Sequence, residues 1–449
     1  MQLLLSKVAE ILGCDAPEQD VMLTGAVIDS RKVEAANLFI ALKGERVDGH
    51  HYIETARLAG AGAVLVSEKQ DNDLAQLVVE DVAAAFAQIA TYWQLQCKAR
   101  LVAITGSNGK TTVKEMLASV LRQAGTVVAT QGNLNNELGV PLTLCRLDAD
   151  TDFAVIEMGA NHHGEIARLV EMAKPIISMI NNVSGAHIEG FGSIGGVSKA
   201  KSEILAGLGK DGVGIVNADM PFLSDWKQIL ADKKMLTFAL DSDADTNAVE
   251  VQLKPQSSHF MVKRDDEYLS INLPIPGRHN IANALAVITI AYELNISSEA
   301  IVKGLAEMKG VSHRLQLRQG PNDSRLIDDS YNANPGSYKQ ALDVLTSFEG
   351  LNYLVLGDFG ELGDDAKQVH IDMGIDAKNA GVDRLWTVGS LSQFTAQAFG
   401  EHAEHFNAAA DLKESLVTAL STDATCLIKG SRFMQLDKLA DELAIQGES

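Results

Sequence analysis

The apolar run Leu101 to Ile104 leads straight into Thr105-Gly106-Ser107-Asn108-Gly109-Lys110-Thr111-Thr112, and this junction constrains the fold more than any other stretch. Val113, Met116, Leu117, Val120 and Leu121 follow at helical spacing. A buried strand, a glycine-rich turn and a helix opening with Lys-Thr-Thr form a phosphate cradle. Its backbone N–H groups and the positive end of the helix dipole face the anion. Lys110 offers a point charge to β- and γ-phosphates, and Thr111 offers a hydroxyl to Mg²⁺. The common form of such a loop has glycine five residues before Gly109, where this chain has Ile104.

At 449 residues the chain exceeds what one core supports. The expectation is an α/β protein of three domains. Residues 1–97 read as a small α/β recognition domain without a phosphate loop. Residues 98–312 form the central P-loop domain on a parallel sheet, and 313–449 a C-terminal Rossmann-like domain. A net charge of −21 argues against polyanionic partners, so neither nucleic acid nor an anionic membrane is expected. Cys14, Cys97, Cys145 and Cys426 are scattered without metal-ligand spacing and read as reduced thiols of a cytoplasmic protein. The start of the chain has Glu10 and no long apolar run, so no signal peptide is expected, and no run is long enough to span a bilayer.

Near-continuous apolar runs between helices mark a parallel sheet covered on both faces, whose ligands sit beyond the carboxyl ends of the strands. Phe153 to Ile156 ends in Glu157, Ile176 to Ile180 in Asn181-Asn182, and Gly214 to Val216 in Asn217-Ala218-Asp219. Residues 240–275 alternate and are more polar, which predicts an antiparallel extension. A third alternation supplies strands at Arg325 to Ile327, Tyr353 to Leu356, Leu385 to Val388 and Thr425 to Ile428. Asn334-Pro335 fits a helix cap followed by proline in the first turn.

Several of these positions can carry chemistry. Glu157 can hold the Mg²⁺ that bridges nucleotide phosphates; alternatively it is a solvated strand end. His187, in a glycine-rich loop, is either a surface residue or a ligand to a second metal. Lys199 and Lys201 lie two apart and so cannot share a helix face; the segment alone favours a solvated basic helix end. Asn280 and Asn283 can present amides to an adenine edge, or Asn280 can simply cap a helix. Asp328-Asp329-Ser330-Tyr331-Asn332-Ala333-Asn334-Pro335 can orient an ammonium-bearing substrate or be an ordinary turn.

Taken in order, these segments resemble the Mur ligase family of ATP-dependent amide-forming enzymes. The resemblance rests on the Thr105 to Thr111 loop, Glu157, Ala186-His187, Lys201, Arg278-His279-Asn280 with Asn283, and Arg314. Ile104 in place of glycine is the family's own form. Four segments resemble the branch that adds D-alanyl-D-alanine: Gly159 to Ile166, His187 to Ser193, Asp328 to Pro335, and Leu356 to Gly363. One local departure is Ser312-His313, where the family commonly has Pro-Gly or Lys-Gly before the arginine.

The resemblance implies ATP, two Mg²⁺ ions and a carbamate on Lys201. Its substrates would be UDP-N-acetylmuramoyl-tripeptide and D-alanyl-D-alanine, joined by a monomeric enzyme. It implies catalytic roles for Lys110, Glu157, His187 and Lys201. ATP would be held by Thr105, Gly106, Ser107, Asn108, Gly109, Lys110, Thr111, Thr112, Asn280, Asn283 and Arg314. Metal would be held by Thr111, Glu157, His187 and Lys201. The UDP moiety would meet Ser30, Arg31, Lys43 and Gly44, and other substrate contacts would come from Asn135, Asp329, Tyr331, Asn332, Asn334 and the Asp358 to Gly363 loop. Rival classes are a folylpolyglutamate synthetase and a P-loop switch that hydrolyses ATP without ligating anything.

Overall fold

A computed structural model describes residues 1–44, 46–185, 188–264 and 267–445. Near the start of the chain, Ala26–Val27, Leu38–Ile40, Ala63–Val66 and Gln76–Val78 form a four-stranded parallel sheet in sequential order. Phe39, Val64 and Val66 face one core, while Leu38, Ile40 and Leu65 face another. That is the period-two alternation of strands covered on both sides. The second core continues through the Val82–Gln96 helix onto one face of the central sheet, where Trp93 Nε1 donates to the Leu147 carbonyl at 2.8 Å. The first unit is thereby anchored to the second by shared apolar packing.

The central sheet has nine strands. It is parallel from its Val127–Ala129 edge as far as Thr246–Lys254 and closes with an antiparallel meander through Ser257–Arg264 and Glu267–Leu273. Arg100–Thr105 lies between Ile177–Ile180 and Phe153–Glu157. Leu101 and Ala103 enter the core shared with the first unit. Val102 and Ile104 enter the opposite one, beneath the helices Lys110–Leu121, Arg278–Glu293 and Ser298–Ala306. Burial on both faces explains why this strand reads as an unbroken apolar run.

The last sheet runs Gln316–Gln319, Arg325–Asp329, Ala424–Lys429, Leu351–Gly357, Arg384–Val388, Ala403–Phe406, with only the first strand antiparallel. Asn334 caps the Pro335–Leu345 helix, accepting from the Ser337 N–H at 2.9 Å in a capping box with proline in the first turn. The link between the second and third sheets carries the Ser312-His313 departure. His313 takes φ +60°, a conformation that favours glycine, and is held there by three contacts. Its Nδ1 lies 2.9 Å from Asp328 Oδ2, its N–H donates to Gln316 Oε1, and its carbonyl accepts from the Tyr331 N–H. No described helix is long and apolar enough to cross a membrane.

Candidate active site

The phosphate loop leaves the sheet at Thr105 and enters the Lys110–Leu121 helix through Gly109. Gly109 has φ +77°, and a Cβ there would lie 2.6 Å from both Asn181 Nδ2 and Asn283 Oδ1, so only glycine fits. Asn181 and Asn182 brace the loop from the neighbouring strand end. Asn182 Oδ1 accepts from the Asn108 N–H at 2.9 Å, and both side-chain amides donate to the Asn108 carbonyl at 3.0 Å. Ile104, the non-glycine position, is fully buried beneath the helix.

A cavity of about 380 Å³ opens between this loop and the C-terminal sheet. Ser107, Asn108, Gly109, Lys110, Thr111 and Thr112 line it, together with Asn135, Glu157, Lys201, Asn280, Asn283 and Arg314. Across from them stand Asp329, Tyr331, Asn332, Asn334, Gly360, Glu361, Leu362 and Lys429. Thr105 and Gly106 stand outside the lining. Thr105 is fully buried, and its hydroxyl donates to the Met158 carbonyl at 2.8 Å, so that side chain fixes the strand end.

Glu157 is almost completely buried at the end of Phe153–Glu157. Thr111 Oγ1 donates to one carboxylate oxygen at 2.9 Å and Asn135 Nδ2 to the other at 2.8 Å. A buried carboxylate satisfied by neutral donors alone is suited to a hard cation, which takes oxygen ligands. Lys110 Nζ donates back to the Gly106 carbonyl at 2.7 Å; burial pushes its pKa down, with Glu157 opposing and Arg314 adding to the shift.

The solvated reading of Lys201 is overturned. On the Ile194–Ala206 helix Lys199 is exposed, but Lys201 is 2% exposed and faces the cavity without a hydrogen bond or ion pair among the described residues. Burial, and secondarily the Lys110 charge, push its pKa well below the usual lysine value. His187 lies outside the described residues.

Asn280 and Asn283 are both buried at the start of the Arg278–Glu293 helix. The N-cap is Gly277, so Asn280 does not cap this helix in the ordinary sense. Its Nδ2 turns back to the Pro276 carbonyl at 2.7 Å, and its Oδ1 accepts from Asn283 Nδ2 at 3.0 Å. Asn283 Oδ1 in turn accepts from Asn181 Nδ2 at 2.7 Å. The two amides are thus wired to each other and to the phosphate loop's brace rather than standing free.

On the C-terminal side, Arg314 lies over the Tyr331 ring at 4.3 Å and Arg432 approaches the same ring at 5.5 Å. Lys429 is buried, with Nζ 2.5 Å from Asp329 Oδ2 and 3.1 Å from the Asn332 carbonyl. Sequence reasoning missed Lys429, although a charge ending the apolar run Thr425 to Ile428 is the same signal that marks Glu157. His279, named in the family resemblance but given no role there, is half-buried, and its pKa is lowered to about 4 by burial and by Lys429. Asp358 does not face the cavity as expected of its loop. Its carboxylate instead collects the N–H groups of Ser390, Leu391 and Ser392 at 2.7–3.0 Å. Ser30, Arg31, Lys43 and Gly44 all lie outside this cavity; Arg31 makes a two-point contact with Asp29, and Lys43 pairs through its backbone with Asp48.

Three family patterns match in order: Mur ligase family, catalytic domain, over residues 23–94; Mur ligase middle domain over 104–291; and Mur ligase, glutamate ligase domain, over 313–432. The UDP-N-acetylmuramoyl-tripeptide–D-alanyl-D-alanine ligase of Escherichia coli strain K12 is 41% identical, across 99% of this chain and 98% of its own. The chain belongs to the Mur ligase family. A crystal structure of MurF from Acinetobacter baumannii superposes with a TM-score of 0.91 at 33% identity, covering 99% of both chains. MurF ligase from Thermotoga maritima, solved in complex with ADP, gives 0.84 at 25% identity over 93% of this chain and 96% of its own. The long cavity between the second and third sheets is therefore that of a Mur ligase.

Proposed function

We propose that the chain joins D-alanyl-D-alanine to UDP-N-acetylmuramoyl-tripeptide at the expense of ATP. The tripeptide carboxylate attacks the γ-phosphate and releases ADP. The dipeptide amine then attacks the resulting acyl phosphate, and the tetrahedral intermediate expels inorganic phosphate as the amide forms. What carries this reading is one cavity that holds a phosphate loop, a buried carboxylate and a buried lysine on one side. On the other side stand the amide-rich and charged strand ends Asp329, Asn332 and Lys429, in a chain related along its whole length to ligases of that activity.

Lys110 and Arg314 would balance phosphate charge, while Asn280 and Asn283 fix the wall toward the adenine. The residues present fit Mg²⁺: Thr111 and Glu157 would hold one ion, and His187 with a carbamate on Lys201 the second. An ammonium at Lys201 would repel a cation, whereas a carbamate there presents oxygen ligands, and the unpartnered amine faces the same cavity as Glu157. Magnesium would screen the repulsion between an anionic carboxylate and the γ-phosphate. Closure of the two domains keeps water from the acyl phosphate. Asn135 secures Glu157, and Ser30, Arg31, Lys43 and Gly44 would meet the UDP end away from the reacting groups.

A phosphate-release assay tests the reading. Sustained turnover of ATP to ADP and phosphate should require both UDP-N-acetylmuramoyl-tripeptide and D-alanyl-D-alanine, and no ADP should form without the tripeptide. A steady ATPase rate indifferent to both would favour the P-loop switch instead.

A further inference from the structure

The phosphate loop makes a direct side-chain bridge to the other domain through Asn108. Its backbone is pinned on both sides by Asn181 and Asn182. Its side chain leaves the loop: Nδ2 donates to Ser184 Oγ at 3.0 Å, and Oδ1 accepts from Asn334 Nδ2 at 2.6 Å. A longer contact of 3.4 Å from Asn108 Nδ2 to Asn334 Oδ1 completes a reciprocal amide pair. Asn334 is at the same time the residue that starts the Pro335–Leu345 helix, through its bond to the Ser337 N–H. The first turn of that helix lies directly over the loop. At Gly336 a Cβ would stand 3.5 Å from Asn108 Nδ2 and from Ser184 Oγ. Farther along, Val344 reaches Gly277, at the start of the Arg278–Glu293 helix.

We propose that Asn334 is a positioning residue: through its amide pair with Asn108 it ties the capped end of its helix to the phosphate loop, so that a nucleotide ordering the loop also holds the C-terminal domain closed. This rests on the ligase reading above and adds to it how occupancy on one side is passed to the other. Asn334 ends the segment that carries Tyr331 and Asn332 into the cavity. A displaced Asn334 therefore moves the wall opposite Lys110. The two bonds of the Asn334 carboxamide serve different ends, one local and one between domains, and a substitution can separate them.

Asn334→Ser does so. Serine is a strong N-cap residue but is too short to reach Asn108, and it adds no charge near the phosphates. The melting temperature should stay near that of the wild type. The KM for D-alanyl-D-alanine should rise roughly three- to tenfold, the range one neutral hydrogen bond supplies, with the KM for ATP changed far less. Asn108→Ala should raise the same KM, and the double variant should be no worse than the poorer single variant, because both remove one contact. Small-angle scattering should show compaction of the wild type by a non-hydrolysable ATP analogue alone, and weaker compaction of Asn334→Ser.

Wild-type compaction and dipeptide KM in Asn334→Ser, or fully additive effects in the double variant, would overturn the proposal. Wild-type enzyme that forms no amide would instead remove the ligase reading. The scattering comparison with nucleotide alone tests the tie in either event.

Discussion

Lys429 Nζ stands 2.5 Å from Asp329 Oδ2, and the two groups belong to adjacent parallel strands of the C-terminal sheet, both at the cavity wall. The lysine is 1% exposed, and Asp329 also accepts from the Leu315 N–H at 3.2 Å, just beyond the interdomain link. The pair therefore joins the cavity floor to the segment that carries Arg314.

Removing one partner leaves a buried charge without compensation. Lys429→Met should destabilise the protein by about 3–5 kcal/mol, whereas Lys429→Met with Asp329→Asn should recover most of that loss. Activity should not recover with stability, since the cavity then lacks both charges. Denaturant unfolding beside initial rates for the three variants checks this; equal stability of the single and double variants would show that the pair is not energetically isolated.

Gly109 and Ile104 make opposite predictions within one loop. Gly109→Ala places a Cβ 2.6 Å from two amide atoms at a positive φ, so nucleotide affinity should fall by at least a hundredfold. Ile104→Gly would create the commoner phosphate-loop pattern, yet Ile104 is fully buried between the sheet and the Lys110–Leu121 helix. That change should cost about 3–5 kcal/mol of stability and bring no gain in ATP binding. Calorimetric titration with ATP and thermal unfolding of both variants decide it.

The phosphate loop was legible because strand, turn and helix are contiguous, and the central strands because two-sided burial leaves long apolar runs. Glu157 showed itself as a charge at the end of such a run. Lys201 did not. Spacing established that Lys199 and Lys201 point to different faces, but not which face is inside, and tertiary packing decided that. The cap at Asn334 was readable from Asn-Pro; its second partner, 226 residues away on the phosphate loop, was not. The resemblance placed Asp358 with the loop that meets substrate, but its carboxylate satisfies the N–H groups of another turn. Nearby polar residues on a loop can face opposite ways, and sequence distance does not separate them.

His279 gives a pH signature. Burial first, and the Lys429 charge second, lower its pKa to about 4 from the usual 6.5. The folded protein therefore keeps a neutral imidazole while the unfolded chain takes up a proton between those values. The stability associated with the neutral form is complete above pH 6.5 and is lost progressively as pH falls toward 4. His279→Gln, which cannot protonate, should narrow the gap between stability at pH 7 and at pH 4.5 relative to wild type. Parallel pH dependence in both proteins would assign the acid sensitivity elsewhere.

Lys201 is where charge sign can be tested most directly. If it carries a carbamate beside Mg²⁺, the position needs negative charge. Lys201→Ala should then nearly abolish turnover, Lys201→Glu should retain more than Lys201→Arg, and Lys201→Arg should fail because it keeps the wrong sign beside a cation. Lys199→Ala should be mild, since that side chain is exposed on another face. Stripping bicarbonate and CO₂ should slow the enzyme, with activity returning on their addition. Burial lowers the Lys201 pKa and so favours the neutral amine, the form that would react with CO₂. Full activity of Lys201→Arg together with indifference to CO₂ would show that the lysine acts as a cation and overturn the carbamate reading.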